Sequence, residues 1–182
     1  GILLAGLGLP VMALAVGGWD PAKKETETAK QQKAANPKVA QAIADIKNKD
    51  PSVKRFFDSA HGYAVFPTVA KGGIGIGGAY GEGEVYERGR LVGTASLTQV
   101  TIGFQLGGQA YSEFVFFKDK KTLDDFKKGN FELSAQASAV AATAGAAANA
   151  DYDKGVAIFT LIKGGLMYEA SVGGQKFSFA PK

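Results

Sequence analysis

The chain reads as an α+β domain: a strongly curved, mainly antiparallel β-sheet, barrel-like or sandwich-like, with short N-terminal helices and one further helix. Three observations predict this. The apolar period changes from helical to two after about residue 60. The run Phe66–Gly83, FPTVAKGGIGIGGAYGEG, packs seven glycines into twelve residues with β-branched residues between them. Finally, 25 glycines against six prolines suit many strands and tight turns, while 182 residues that are 46% hydrophobic suffice for one core.

Taken in order, residues 2–16, ILLAGLGLPVMALAV, carry no charge and end near the small-x-small pattern Ala13-Leu14-Ala15. Residues 1–15 read as the apolar and cleavage regions of a secretory signal peptide; a single transmembrane anchor is the rival reading. Either places the body outside the cytoplasm, in the periplasm or against the outer membrane. Residues 16–36 are polar, mixed in charge and read as a linker. From 37 to 182 the pattern is that of a single domain.

Asn36-Pro37 supplies an N-cap and a first-turn proline, and Val39, Ile43 and Ile46 follow at helical spacing to about Asn48. Asp50-Pro51 restarts the signal, with Val53, Phe56, Phe57 and Ala60 on one face. Then Ala64–Val69, Ile74–Tyr80, Glu84–Tyr86 and Leu91–Ala95 read as strands broken by glycine turns, with Glu87-Arg88-Gly89-Arg90 at a hairpin tip. Gly73, Gly75 and Gly77 leave one strand face bare, which implies close approach of a backbone, an aromatic ring or a ligand. Val100–Leu106 alternates as a half-buried strand. Tyr111–Phe117 is nearly continuous apolar and therefore central. Lys121–Lys128 is a short helix stopped by Gly129. Strict alternation makes 131–142 a strand despite its alanines, 143–152 stay unassigned, and Val156–Ile162, Leu166–Ser171 and Lys176–Phe179 complete the sheet.

Several stretches together carry a resemblance: Phe66-Pro67, Lys71-Gly72-Gly73, Gly81-Glu82-Gly83, the segment Val100–Gln109 (VTIGFQLGGQ), Phe131–Ser138 (FELSAQAS) and Lys163-Gly164-Gly165-Leu166. In this order and spacing they resemble the SYLF lipid-binding domain family in a bacterial form, over roughly residues 37–180. The resemblance implies lipid or membrane binding. Eukaryotic members bind acidic phosphoinositide membranes, partly through basic, amphipathic N-terminal helical sequence, and some bind actin, a property not carried over to this chain. Lys71 matches the lysine after the family's Phe-Pro pair, as a head-group contact or as a turn closure.

Other chemistry finds little support. Without cysteine there is no disulfide, thiolate zinc site, thiol catalysis or lipoprotein acylation. Gly73-x-Gly75-x-x-Gly78 matches a dinucleotide fingerprint as a string, but no helix follows it. His61 is the single histidine; Asp58 precedes it by three, yet no nucleophile elbow accompanies them, and the plainer reading is a helix-ending histidine. Asp151-Tyr152-Asp153-Lys154-Gly155 lacks the glycine and glutamate positions of a calcium loop. Glu82 and Glu84 share a strand face and read as a solvated edge. Basic and acidic residues interleave between Asp20 and His61, which suits no nucleic acid. No cofactor or metal is called for.

The membrane reading rests on the second helix. Lys54 and Arg55 lie beside Phe56 and Phe57, with Lys47 and Lys49 just before. Inserting aromatics beside cations, each cation contributing on the order of 1 kcal/mol at an anionic surface, would give salt-sensitive binding. Packing of Val53, Phe56 and Phe57 on the sheet is the alternative. The expectation is therefore a non-catalytic protein that binds lipid or an anionic membrane through Lys47, Lys49, Lys54, Arg55, Phe56, Phe57 and Lys71. An envelope protein docking on the glycine-faced strands is the rival, and an enzyme using scattered carboxylates comes last.

Overall fold

The computed structural model describes residues 36–74, 76–102, 108–164 and 171–182. The expected leader, nearly all of the linker, Gly75, the Phe104–Leu106 end of one strand and most of the Leu166–Ser171 strand lie outside them. The described residues form one curled, eight-stranded sheet, antiparallel except for one short pair, with helices added at its N-terminal side and at one later connection.

Helix α1 (Pro37–Lys49) starts where the pattern predicts. The Asn36 side chain accepts the Lys38 N–H at 2.9 Å, and Pro37 occupies the first turn. Val39, Ala42 and Ile46 form its buried stripe. Asp50 ends it and caps the following 3-10 turn, Pro51–Val53, by accepting the Ser52 N–H. Helix α2 (Lys54–Ser59) continues from that turn.

Strands β1 (Gly62–Ile74), β2 (Ile76–Glu87) and β3 (Arg90–Ile102) form a long antiparallel meander. The glycines at 72, 73, 81, 83 and 93 do not break it into the shorter strands that their turn propensity suggests. Those at 73, 81, 83 and 93 sit where the curled sheet leaves no room for a side chain. A Cβ on Gly83 would lie 2.3 Å from the Val65 carbonyl oxygen, and one on Gly73 would lie 2.5 Å from the Gly77 Cα. The close approach expected of the bare face is thus between the chain's own strands. The predicted hairpin tip forms at Arg88 and Gly89, both at positive φ.

Strand β4 (Gln109–Phe117) pairs with β1, and β7 (Val156–Gly164) pairs with β4. Between them, helix α3 (Lys120–Lys127), capped by Asp119, buries Leu123 and Phe126 and ends at Gly129. Strands β5 (Phe131–Glu132) and β6 (Val140–Ala141) are two residues each, β6 running parallel to β7; β8 (Lys176–Pro181) lies between β5 and β3. The order is β5-β8-β3-β2-β1-β4-β7-β6.

The expected continuous strand 131–142 is therefore a correction. Its alternation rests on Ala135, Ala137 and Ala139, whose methyl groups add too little packing to hold a ladder. The segment turns instead, with the Ala137 N–H bonded to the Ser134 carbonyl and Gly174 N–H reaching Leu133 and Ser134. The unassigned stretch that follows contains the 3-10 turn Ala146–Asn149.

Both faces of β1, β4 and β7 are buried. One carries Val65, Phe114, Phe116 and Phe159 against α1 and α2. The inner, concave face carries Phe66, Val69, Tyr111, Val115, Phe117 and Ile158, together with α3 and Phe177. At Pro67 the register of β1 slips against both neighbours, and the Ser112 hydroxyl donates to the Pro67 carbonyl at 2.8 Å. A proline inside a central strand needs such a bulge, because it cannot donate to the ladder.

The inner face also holds charge. Glu113 is fully buried, burial pushes its carboxyl up to about 8, and Gln175 and Lys71 only partly oppose that rise. A folded-state pKa above the unfolded value contributes stability that is complete below the ordinary carboxylate range and lost as pH rises through about 8. The unfolding free energy of the wild type, measured against Glu113→Gln in urea, is expected to fall between pH 5 and 9, by at most about 1.4 kcal/mol per pH unit. Parallel curves for the two proteins would mean that Glu113 is already ionised in the fold.

Candidate lipid-contact surface

The cationic helix of the sequence reading is built differently from its expected role. Phe56 is fully buried, with ring centroids 4.9 Å from Phe159 and 5.5 Å from Phe116. Phe57 is half-buried, edge-on to Tyr63 and Phe116. These rings belong to the core beneath the helices, so the packing alternative describes them and they are not free to insert into a bilayer. Arg55 lies over Phe56 at 4.2 Å and donates to the carbonyls of Ala147 and Ala150. It fastens α2 to the 143–150 loop. Lys47 sits over the Phe57 ring at 4.6 Å, and Lys54 pairs with Asp58 across one helical turn. Lys49 is exposed.

Asp50 completes this anchorage. Burial alone would raise its carboxyl, but the Ser52 hydroxyl and the N–H groups of Ala147, Gly145 and Ser52 together hold it below the ordinary value. Its two oxygens join the end of α1 to the same loop that Arg55 grips.

Lys71 faces the interior. Counted by alternation from Ala64 and Phe66, it would lie on the opposite face; the bulge at Pro67 resets the parity and turns it inward. Its ammonium donates to the Ser171 carbonyl at 3.3 Å, and burial lowers its pKa against the opposing pull of Glu113. Around it, Gln99 donates to the carbonyls of Ser171 and Gly173, and Gln175 donates to Glu113 Oε2 at 2.9 Å. Among the described residues, Gln99 Oε1, Glu113 Oε1 and Gln175 Oε1 have no partner. A protonated Glu113 brings the donor that an all-acceptor arrangement lacks. The cluster holds the 171–175 segment across the concavity. Sequence reasoning passed over Glu113, although a lone carboxylate inside the apolar run Tyr111–Phe117 was a visible signal.

His61 is not merely a helix end: its Nε2 lies 2.8 Å from Glu87, which also accepts Lys127 at 2.9 Å. Lys127 and His61 hold the Glu87 carboxyl below its usual range. Glu82 and Glu84 are not at an edge, because β2 lies between β1 and β3. Glu82 is exposed and accepts the Tyr80 hydroxyl; Glu84 is buried beneath α1, accepting the Asn36 N–H and the Tyr86 hydroxyl. Among the described residues, no group of three or more His, Cys, Asp or Glu could hold a metal, and no helix is long and apolar enough to cross a membrane.

What the sheet leaves open is its outer face beyond the reach of α1 and α2. There Ile76 is 72% exposed, Val100 78% and Tyr80 52%. Gly78 pairs with Val100 and Tyr80 with Thr98, so the three side chains stand together over small neighbours, Ala70, Gly72 and Gly78. Two cations flank them. Lys163 reaches Thr68 on β1 at 3.3 Å, and Lys176 is paired in register with Thr98. Glu82 and Glu132, the latter paired in register with Lys176, are acidic members of the same face. The patch escaped sequence reasoning because Ile76 reads as core until its face is known.

Residues 98–181 match the family described as Ysc84, Las17-binding protein actin regulator, the SYLF family of the sequence resemblance. Beta cell expansion factor A of Aeromonas veronii is 29% identical over 153 residues, which are 83% of this chain and 58% of that protein. The chain thus spans under two thirds of that relative's length.

Burial makes the two sets of residues separable by stability. Phe56→Ala is expected to lower the unfolding free energy by about 3–5 kcal/mol, and Val100→Ser by less than about 1 kcal/mol. Urea denaturation followed by circular dichroism measures both, and similar losses would mean that Val100 is covered in solution.

Proposed function

With the SYLF match over residues 98–181 as premise, we propose that this chain is a non-catalytic, lipid-binding protein that rests on an anionic membrane surface of the bacterial cell envelope. The observation that carries the reading is the exposed triplet Ile76, Tyr80 and Val100 between Lys163 and Lys176. An interfacial site needs apolar side chains that enter the head-group boundary and cations that meet lipid phosphates beside them. The sheet offers both on one face. Scattered single apolar residues are normal on any protein, but three large ones over a floor of glycine and alanine are a patch. The family assignment supports a lipid-binding or membrane-associated role in general. The choice of face, the anionic preference and the envelope location are this proposal's own. The envelope location draws on the apolar run of residues 2–16.

The solvent-facing cations Lys49 and Lys54 form a second, weaker contact that adds charge without insertion. Arg55, Phe56, Phe57 and Lys71 take no part, since each is engaged within the fold. At Gly73 the glycine face meets the chain's own backbone, which leaves less of that face for the docking of an envelope protein.

Vesicle co-sedimentation tests the proposal, using the chain from Val16 with zwitterionic or anionic vesicles across a salt series. Anionic-selective binding is expected to weaken with salt and to fall at least about tenfold in Ile76→Glu/Val100→Glu, a change on the order of 1.4 kcal/mol or more. Lys163→Glu/Lys176→Glu is expected to abolish the anionic preference, and Glu82→Gln to strengthen it. Binding that ignores both double variants but is lost in Lys49→Glu/Lys54→Glu would move the contact to the helices. No binding to either vesicle would defeat the membrane-surface reading.

A further inference from the structure

The two ends of the curled sheet, β5 on one side and β6–β7 on the other, do not pair with each other. Between them lies a cavity of about 330 Å³. Its floor is apolar, from Phe131, Leu133, Val140 and Ile158. Its rim carries Asp151, Asp153 and Lys154, with Glu132 at the far side. Glu132 stands opposite Lys176 in register, which offsets its charge, and Lys154 offsets one of the two aspartates, so Asp151 and Asp153 leave the rim with a net negative sign. Both are exposed and appear in no ion pair among the described residues.

We propose that this seam cavity binds a single-chain amphiphile with a cationic amine head, the chain lying on Leu133, Val140 and Ile158 and the ammonium between Asp151 and Asp153. Three features select that class. A volume near the lower end of ligand pockets, about 300–1,000 Å³, admits one alkyl chain and not the two of a phospholipid. The floor has no buried charge to meet a polar ligand, so burial of apolar surface drives entry. The rim repels a carboxylate or phosphate head and attracts an ammonium.

The site is distinct from the outer-face triplet, which lies on β2 and β3. The inference therefore stands without the membrane-surface reading: one concerns capture of a monomeric amphiphile, the other adsorption to a bilayer.

Isothermal titration with dodecylammonium, dodecanoate and dodecanol, each below its aggregation concentration, tests it without vesicles. One saturable dodecylammonium site per chain is expected, about tenfold tighter than dodecanoate. Asp151→Asn/Asp153→Asn is expected to erase that difference while keeping chain binding. Filling the cavity with Ala137→Phe is expected to abolish binding of all three; Ser138→Phe repeats this should the first variant fold poorly. Methyl shift mapping is expected to report changes at Leu133, Val140 and Ile158. Tighter binding of dodecanoate, binding that survives both filled variants, shifts confined to Ile76 and Val100, or no saturable binding would each overturn the proposal.

Discussion

Seven consecutive residues, Tyr111 to Phe117, are buried, and that single requirement organises the molecule. A strand buried on both faces has no solvent side, so each face needs its own cover. One face is covered by α1 and α2, whose Val39, Ile46, Val53 and Phe56 pack over Phe114 and Phe116. The other is covered by the sheet itself, curling so that β3, β8 and α3 approach β4 from within. Glycines at the closest strand approaches permit the curl, and the bulge at Pro67 admits a proline where a straight ladder would not.

The inner cover has an unusual composition. Glu113, Lys71, Gln99 and Gln175 meet inside the concavity, where a purely apolar layer would have sufficed. Their contacts go largely to the 171–175 segment, and they give that segment a defined position that apolar packing alone would leave loosely specified. The cost is a carboxyl that burial keeps largely protonated near neutral pH. This cluster fixes one closure of the sheet and leaves the seam beyond it, between β5 and β6–β7, incompletely filled.

The outer cover is short. Helices α1 and α2 shield the Glu84 end of the meander and stop, while β2 and β3 run on towards Ile76 and Val100. Those side chains are exposed because the strands outrun the helices. The amphipathic face that looked ready for a membrane is spent on the core, and the uncovered stretch of sheet becomes the apolar surface with cations at its flanks. The exposed patch on this fold follows from where cover ends.

The sequence by itself determined the elements whose signals are local. Asn36-Pro37 and Asp50-Pro51 started their helices, Arg88-Gly89 made its hairpin, Gly129 stopped α3, and the apolar run marked β4 as central. Backbone capping and turn chemistry depend on residues a few positions apart, and periodicity reads them directly. What only the tertiary structure decided were facts about sides and ends. Glycine punctuation did not cut β1–β3, because long-range pairing outweighed local turn propensity. Alternating alanines did not make a strand, because alternation without bulk has little to pack. Lys71 turned inward because one bulge at Pro67 inverted the alternation after it. Phe56 went to the core and Ile76 to the surface, though both are equally apolar in sequence. Burial is a property of which element covers which, and that assignment exists only once distant strands have met.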